Sequence, residues 1–158
     1  MSILRITALG VAITLGSTAA FAEAHAEAVA AGIEARQAHM KSYGGQLRTL
    51  SGMARGEVAY DAAAASEAAA KLLELASVDQ TDFWVEGSDN FSTDIETRAL
   101  PMIWEDMEGF EAKKAALIEA ATALNEVAGN GQEALGPAMG PVGAVCGACH
   151  ETYRAPEE

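Results

Sequence analysis

The sequence predicts an all-α chain folded as an antiparallel, up-down-up-down four-helix bundle. Three observations predict it. Alanine is abundant while aromatic residues make up 6% of the chain, a balance that favours helix over sheet. Apolar residues recur every seven positions, as Ile33, Met40, Leu47 and Ala54 in one stretch and Ile103, Phe110, Leu117 and Leu124 in another. Mostly short turns separate such segments, and short turns fold consecutive helices back on one another.

Residues 1–22 read as a signal peptide. Arg5 supplies a positive start, Ile6 to Leu15 an apolar run, and Ala20-Phe21-Ala22 a small-x-small cleavage site. The run is short for a membrane span of about 20 residues, and no charged stop-transfer flank follows it. The mature chain then begins near Glu23 and forms one domain over residues 23–158. Removing residues 1–22 takes away one charge, Arg5, and leaves nine basic against 23 acidic residues, a formal −14. Such a chain is repelled by nucleic acid and by anionic lipid, so basic or neutral protein surfaces are its expected partners.

The first helix is expected over 24–55, with Tyr43 and Leu50 filling intermediate positions of its stripe. Tyr60-Asp61 offers an N-cap to a second helix over 61–77, whose core face is Ala65, Ala69, Leu72, Leu73 and Ala76. Residues 78–97 are a loop, long for a bundle connection and so expected to pack over something. The third helix starts near Pro101, a good first-turn residue, and Gly129-Asn130-Gly131 stops it. The fourth carries Leu135, Met139, Val142, Val145, Cys149 and Tyr153. Pro137 and Pro141 predict a kink in it, or a fresh start at Pro141.

That last helix holds Cys146-Gly147-Ala148-Cys149-His150, a C-x-x-C-H pattern. Two thiols three apart on a helix share a face, so both can form thioethers to the vinyl groups of one haem c. His150, four residues after Cys146, lies on the same face and suits a proximal iron ligand. A structural zinc site lacks its second ligand pair, a thioredoxin-type dithiol lacks its βαβ setting, and a plain disulfide leaves His150 unexplained. With a haem assigned, two oddities of the first helix acquire a purpose. Gly44 leaves room for a flat group pressed against the stripe, and Arg36, inside the stripe, can pair with a propionate.

These features together resemble the class II c-type cytochromes, the cytochrome c′ family. The marks are Arg36-Gln37-x-x-Met40, Tyr60-Asp61, Ile103-Trp104 and Cys146-x-x-Cys149-His150-x-x-x-Arg154. The likeness spans essentially the whole mature chain, and the C-terminal haem motif separates it from class I cytochromes c. The two prolines of the last helix depart from the pattern. The resemblance implies one covalent haem c on Cys146 and Cys149, with Arg36, Gln37 and Arg154 around it. It also implies a periplasmic location and a homodimer through the first two helices.

The family divides on the sixth iron position, which an apolar residue blocks in some members and a methionine fills in others. The run Arg36 to Lys41 followed by Gly44 resembles the low-spin branch, which makes Met40 the expected distal ligand. The leading expectation is therefore an electron-transfer cytochrome with His150/Met40 ligation and a basic redox partner. The alternative is a five-coordinate iron that binds NO or CO, with Met40 only lining the pocket, since methionine is also an adaptable filler. His39 lies about 100° round the helix from Met40 and is expected to face solvent. His25 sits at a frayed start, Met139 shares a helix with His150, and Met107 is expected in the core. No acid/base pair or nucleophile arrangement accompanies the motif, so an enzyme is not expected.

Overall fold

The computed structural model describes residues 15–157. Arg5 and nearly all of the apolar run assigned to the signal peptide lie outside them, while Ala20-Phe21-Ala22 stands on exposed early turns of the first helix. Among the described residues there are five α-helices: α1 (Leu15–Ala54), α2 (Ala62–Ala76), the short α3 (Met102–Glu105), α4 (Met107–Val127) and α5 (Gln132–Tyr153). A 3₁₀ turn, Thr81–Phe83, lies in the long connection after α2.

The helix ends follow from local chemistry. α1 stops in a Schellman arrangement, in which Glu57 N donates to Gly52 O and Gly56 N to Met53 O. Gly56 takes φ +71°, which a side chain would resist. At the start of α2 the Asp61 carboxylate accepts from Ala64 N at 2.8 Å. At the turn into α5, Tyr60 Oη donates to the Ala128 carbonyl at 2.7 Å and accepts from Gly131 N at 2.9 Å.

α1, α2, α4 and α5 form a ring in which each packs on two neighbours, α1 on α2 and α5, α4 on α2 and α5. Leu50, Leu72, Leu124, Leu135 and Val142 are fully buried at its centre, and Tyr43 caps this core on the α1 side. A smaller cluster of Ala99, Ile103, Phe110 and Tyr153 lies at one end, with Trp84, Trp104 and Cys149 against it. The four-helix bundle is as expected, and α2 keeps the predicted face apart from partly buried Leu73.

Three expectations are corrected. The third helix is broken at Asp106, whose backbone leaves the helical region (φ −131°, ψ 58°) so that its carboxylate can cap α4. Met107 consequently opens α4 at 38% exposure rather than lying in the core. α5 runs unbroken through Pro137 and Pro141 with no fresh start. Both prolines are exposed, so the carbonyls that lose a donor there can be satisfied by water.

Candidate haem site

Cys146, Cys149 and His150 occupy the last two turns of α5. Both cysteines are free thiols and partly buried. Cys146 packs against the main core and Cys149 against the smaller cluster, so the pair sits on the seam between the two. Burial pushes both thiols up, which keeps them protonated at neutral pH. The His150 ring is exposed at the edge of the helix. Partial burial and then the charges of Arg154 and Arg98 push it below the ordinary histidine range, so it is neutral and its nitrogen lone pair is free. At Gly143 and Gly147 an added Cβ would meet nothing within 4 Å, so the helix backbone beside the motif is open. Two unpaired thiols, a neutral imidazole on the same segment and an open flank fit a covalently held haem.

On α1, Met40 has the angular position of the buried stripe, one turn after Arg36 and one before Tyr43, yet it is 42% exposed. A Cβ at neighbouring Gly44 would also touch nothing. The stripe opens at this level while closing tightly above and below, at Ile33 and Leu50.

Arg36 and Gln37 are committed elsewhere. The Arg36 guanidinium, 4% exposed, donates to Phe83 O, Ser88 Oγ, Ser88 O and Thr97 Oγ1, and lies 5.2 Å from the Trp84 ring centre. Gln37 Nε2 donates to Glu96 O at 2.8 Å. Both side chains tie the 83–97 loop to α1, which is what that long loop packs over. His39 is corrected outright, being buried at 8% rather than solvent-facing. The loop covers it, and its ring meets Tyr43 and Phe83 edge-on at 4.7 and 5.4 Å. Trp84 Nε1 can only donate, so it fixes the Gln80 amide oxygen towards itself and turns the amide nitrogen to His39 Nε2 at 3.3 Å. His39 is thereby held neutral with Nε2 accepting, and burial lowers its pKa accordingly.

Arg154 follows α5 as its C-cap, and its charge acts on His150 together with that of Arg98. Arg98 was not legible as a site residue. Its guanidinium is pinned by the Ala155 carbonyl and by Glu157, and long-range backbone pairing around the Ala99–Arg154 bridge brings it there. Gln80 and Asp106 were missed as well. Asp106 did carry a local signal, an N-cap residue three before Gly109 at a helix start.

Residues 31–154 match the protein family described as Cytochrome C′. The chain is 39% identical to a cytochrome c′ from Cereibacter sphaeroides over 123 residues, 77% of this chain and 81% of that one. It is 40% identical to a cytochrome c-554 of the same organism over 122 residues, 77% of this chain and 79% of the other. Among solved structures, a cytochrome c′ from Rhodobacter Spheriodes superposes with TM-score 0.78 at 36% identity, covering 82% of this chain and 98% of that one. A nitric oxide complex of a cytochrome c prime variant from Alcaligenes xylosoxidans superposes with TM-score 0.68 at 26% identity, covering 79% and 94%. The low-spin His/Met assignment draws no support from a set in which cytochromes c′ recur by sequence and by structure. With its two cysteines in the attachment pattern, the chain belongs to the cytochrome c′ family, whose prosthetic group is one covalent haem c.

Proposed function

We propose that this chain is an exported haem c protein that takes a small neutral gas, NO or CO, at its iron, with His150 as proximal ligand. Met40 then lines the distal pocket instead of filling the sixth position. The observation that carries this reading is the likeness to cytochromes c′, one of them solved as its nitric oxide complex. The bound haem supplies an iron that binds π-accepting diatomics in its ferrous form. The chain supplies the rest. Cys146 and Cys149 anchor the group to α5, and neutral His150 offers a nitrogen lone pair from the same helix. Met40 and Gly44 leave the facing side of α1 open, at a point where the stripe would otherwise close. Residues 1–22 direct export, the mature chain starts near Glu23, and the periplasm is where it works. No described helix is long and apolar enough to cross a membrane. The protein binds and carries and is not an enzyme. A homodimer through α1 and α2 belongs to the same reading.

An electron-carrier reading, with Met40 on the iron, is favoured by the −14 charge of the mature chain. The optical and EPR spectra of ferric protein separate the two. The gas-binding reading expects a high-spin ferric protein, and a Met40→Ala variant that stays high-spin and binds CO faster. A low-spin wild type with a thioether-to-iron charge-transfer band, turning high-spin in Met40→Ala, would establish the carrier.

A further inference from the structure

The His150 ring makes no hydrogen bond among the described residues, and it is exposed. Its aim is therefore inherited from the backbone turn that bears it. That turn lies at the end of α5, where the last carbonyls have no partner within the helix and fraying is the default. Yet the turn is tied down on two sides. On one side Leu100 N donates to Tyr153 O at 3.0 Å and Ala155 N to Arg98 O at 2.8 Å. On the other, Tyr153, 4% exposed and three residues past His150, sets its ring edge-on to Phe110 at 5.3 Å. Its hydroxyl donates to Asp106 Oδ2 at 2.7 Å. The second oxygen of Asp106 accepts from Gly109 N at 3.1 Å, so one carboxylate caps α4 and holds α5 at once. The arrangement has room only because residue 109 is glycine. A Cβ there would collide with Asp106 Oδ2 and stand 2.6 Å from Tyr153 Oη.

We propose that Asp106, Tyr153 and Gly109 form a lock whose task is to position His150 towards the iron. The proposal rests on the haem assignment above. Break in α3–α4, cap, tyrosine and glycine then share one purpose. The break at Asp106 frees the carboxylate from the helix, and the missing side chain at 109 lets the tyrosine hydroxyl reach it. Orientation of a ligating imidazole by groups outside the ligand set is a general way for a protein to tune a metal centre. The three are positioning residues, since none touches the cofactor-bearing side chains as a ligand.

The test uses haem-loaded protein and three variants, Tyr153→Phe, Gly109→Ala and Tyr60→Phe. Tyr60 is the control, a second tyrosine whose hydroxyl bridges two backbone groups, Ala128 O and Gly131 N, at the α4–α5 turn. Three quantities are read: haem content by pyridine haemochrome, stability by denaturant unfolding, and the hyperfine-shifted His150 ring-proton resonances of the ferric protein. Those resonances report ring orientation whether the iron is five- or six-coordinate. Full haem content is expected in all three. Tyr153→Phe and Tyr60→Phe should both lose stability, whereas only Tyr153→Phe and Gly109→Ala should displace the His150 resonances, and in the same direction. If Tyr153→Phe loses stability but leaves those resonances where wild type or Tyr60→Phe has them, the lock is structural and the proposal is wrong. Tyr153→Phe keeps the ring and its packing, so it decides the matter even if Gly109→Ala fails to fold. A wrong haem assignment shows separately, as wild-type protein without covalent haem.

Discussion

Arg36 carries a cation into a site where it is 4% exposed, and burial lowers its pKa to about 10, with Asp89 partly opposing that. At that value it stays charged at neutral pH, and four oxygens accept its hydrogen bonds. Replacing it with Met would remove the donor from Ser88 O and Ser88 Oγ and leave them buried beside an apolar chain. A loss of about 3 kcal/mol is expected from that, read as a lower denaturation midpoint at unchanged haem content. Unchanged stability with an altered haem spectrum would instead return Arg36 to the cofactor. At the same scale, the distal residue is legible as a methionine in a stripe, but what it does there is not. Ligand and lining place the same side chain on the same face of α1, and only iron coordination tells them apart.

Among the elements, the loop between α2 and α3 behaves as a structural part of the bundle. Gly32 on α1 meets it so closely that a Cβ would stand 3.0 Å from Asp82 O and 3.3 Å from Phe83 O. Those neighbours are backbone and cannot swing aside. Overpacking costs about 1–3 kcal/mol, against about 1 kcal/mol gained when helical Gly becomes Ala. Gly32→Ala should therefore be neutral to destabilising by up to about 2 kcal/mol, measured by denaturant unfolding, and a clear gain in stability would contradict the packing described. Acid should also loosen this region. Hydrogen bonds from the Thr81 side chain and backbone lower the Asp79 carboxyl, and for Asp89 burial raises it but bonds from Ser92 and Phe91 prevail. Both folded values lie below the unfolded ones, so the stabilisation is complete above about pH 5 and is lost as pH falls through the folded values. The thermal midpoint should hold steady from neutral pH to about pH 5 and then fall. A midpoint flat down to about pH 3 would show that these carboxylates stabilise nothing.

For the whole molecule, the surplus of acid dominates encounters. The ion pairs present are chiefly short-range and exposed, such as Lys71–Glu74 and Arg55–Glu57, and leave the excess negative charge unneutralised. Association with a cationic protein partner should slow as salt rises, because screening shortens to about 10 Å at 0.1 M. Stopped-flow rates that stay flat between low and physiological salt would remove charge steering from the account. The ring order α1–α2–α4–α5 also explains how one end of the molecule becomes the site: the loop and α3 cover that end, and the C-terminal turns of α5 finish there.

The sequence by itself determined what local chemistry controls. The heptad stripes, the Asp61 cap and the glycine-rich turn before α5 yield four long helices, and the spacing of Cys146, Cys149 and His150 yields the haem. Each of these is a pattern within a few turns of one helix, where residue type and interval are enough. The tertiary structure alone decided the rest. Arg36 reads as a partner for a propionate until the loop 52 and 61 residues away, at Ser88 and Thr97, takes its donors. His39 reads as exposed until the same loop covers it. Arg98 reaches His150 through pairing with the chain's last residues, and Asp106 reaches Tyr153 across 47 residues. Contacts over such separations depend on which surfaces the bundle brings together, and no helical periodicity encodes where an irregular loop will lie.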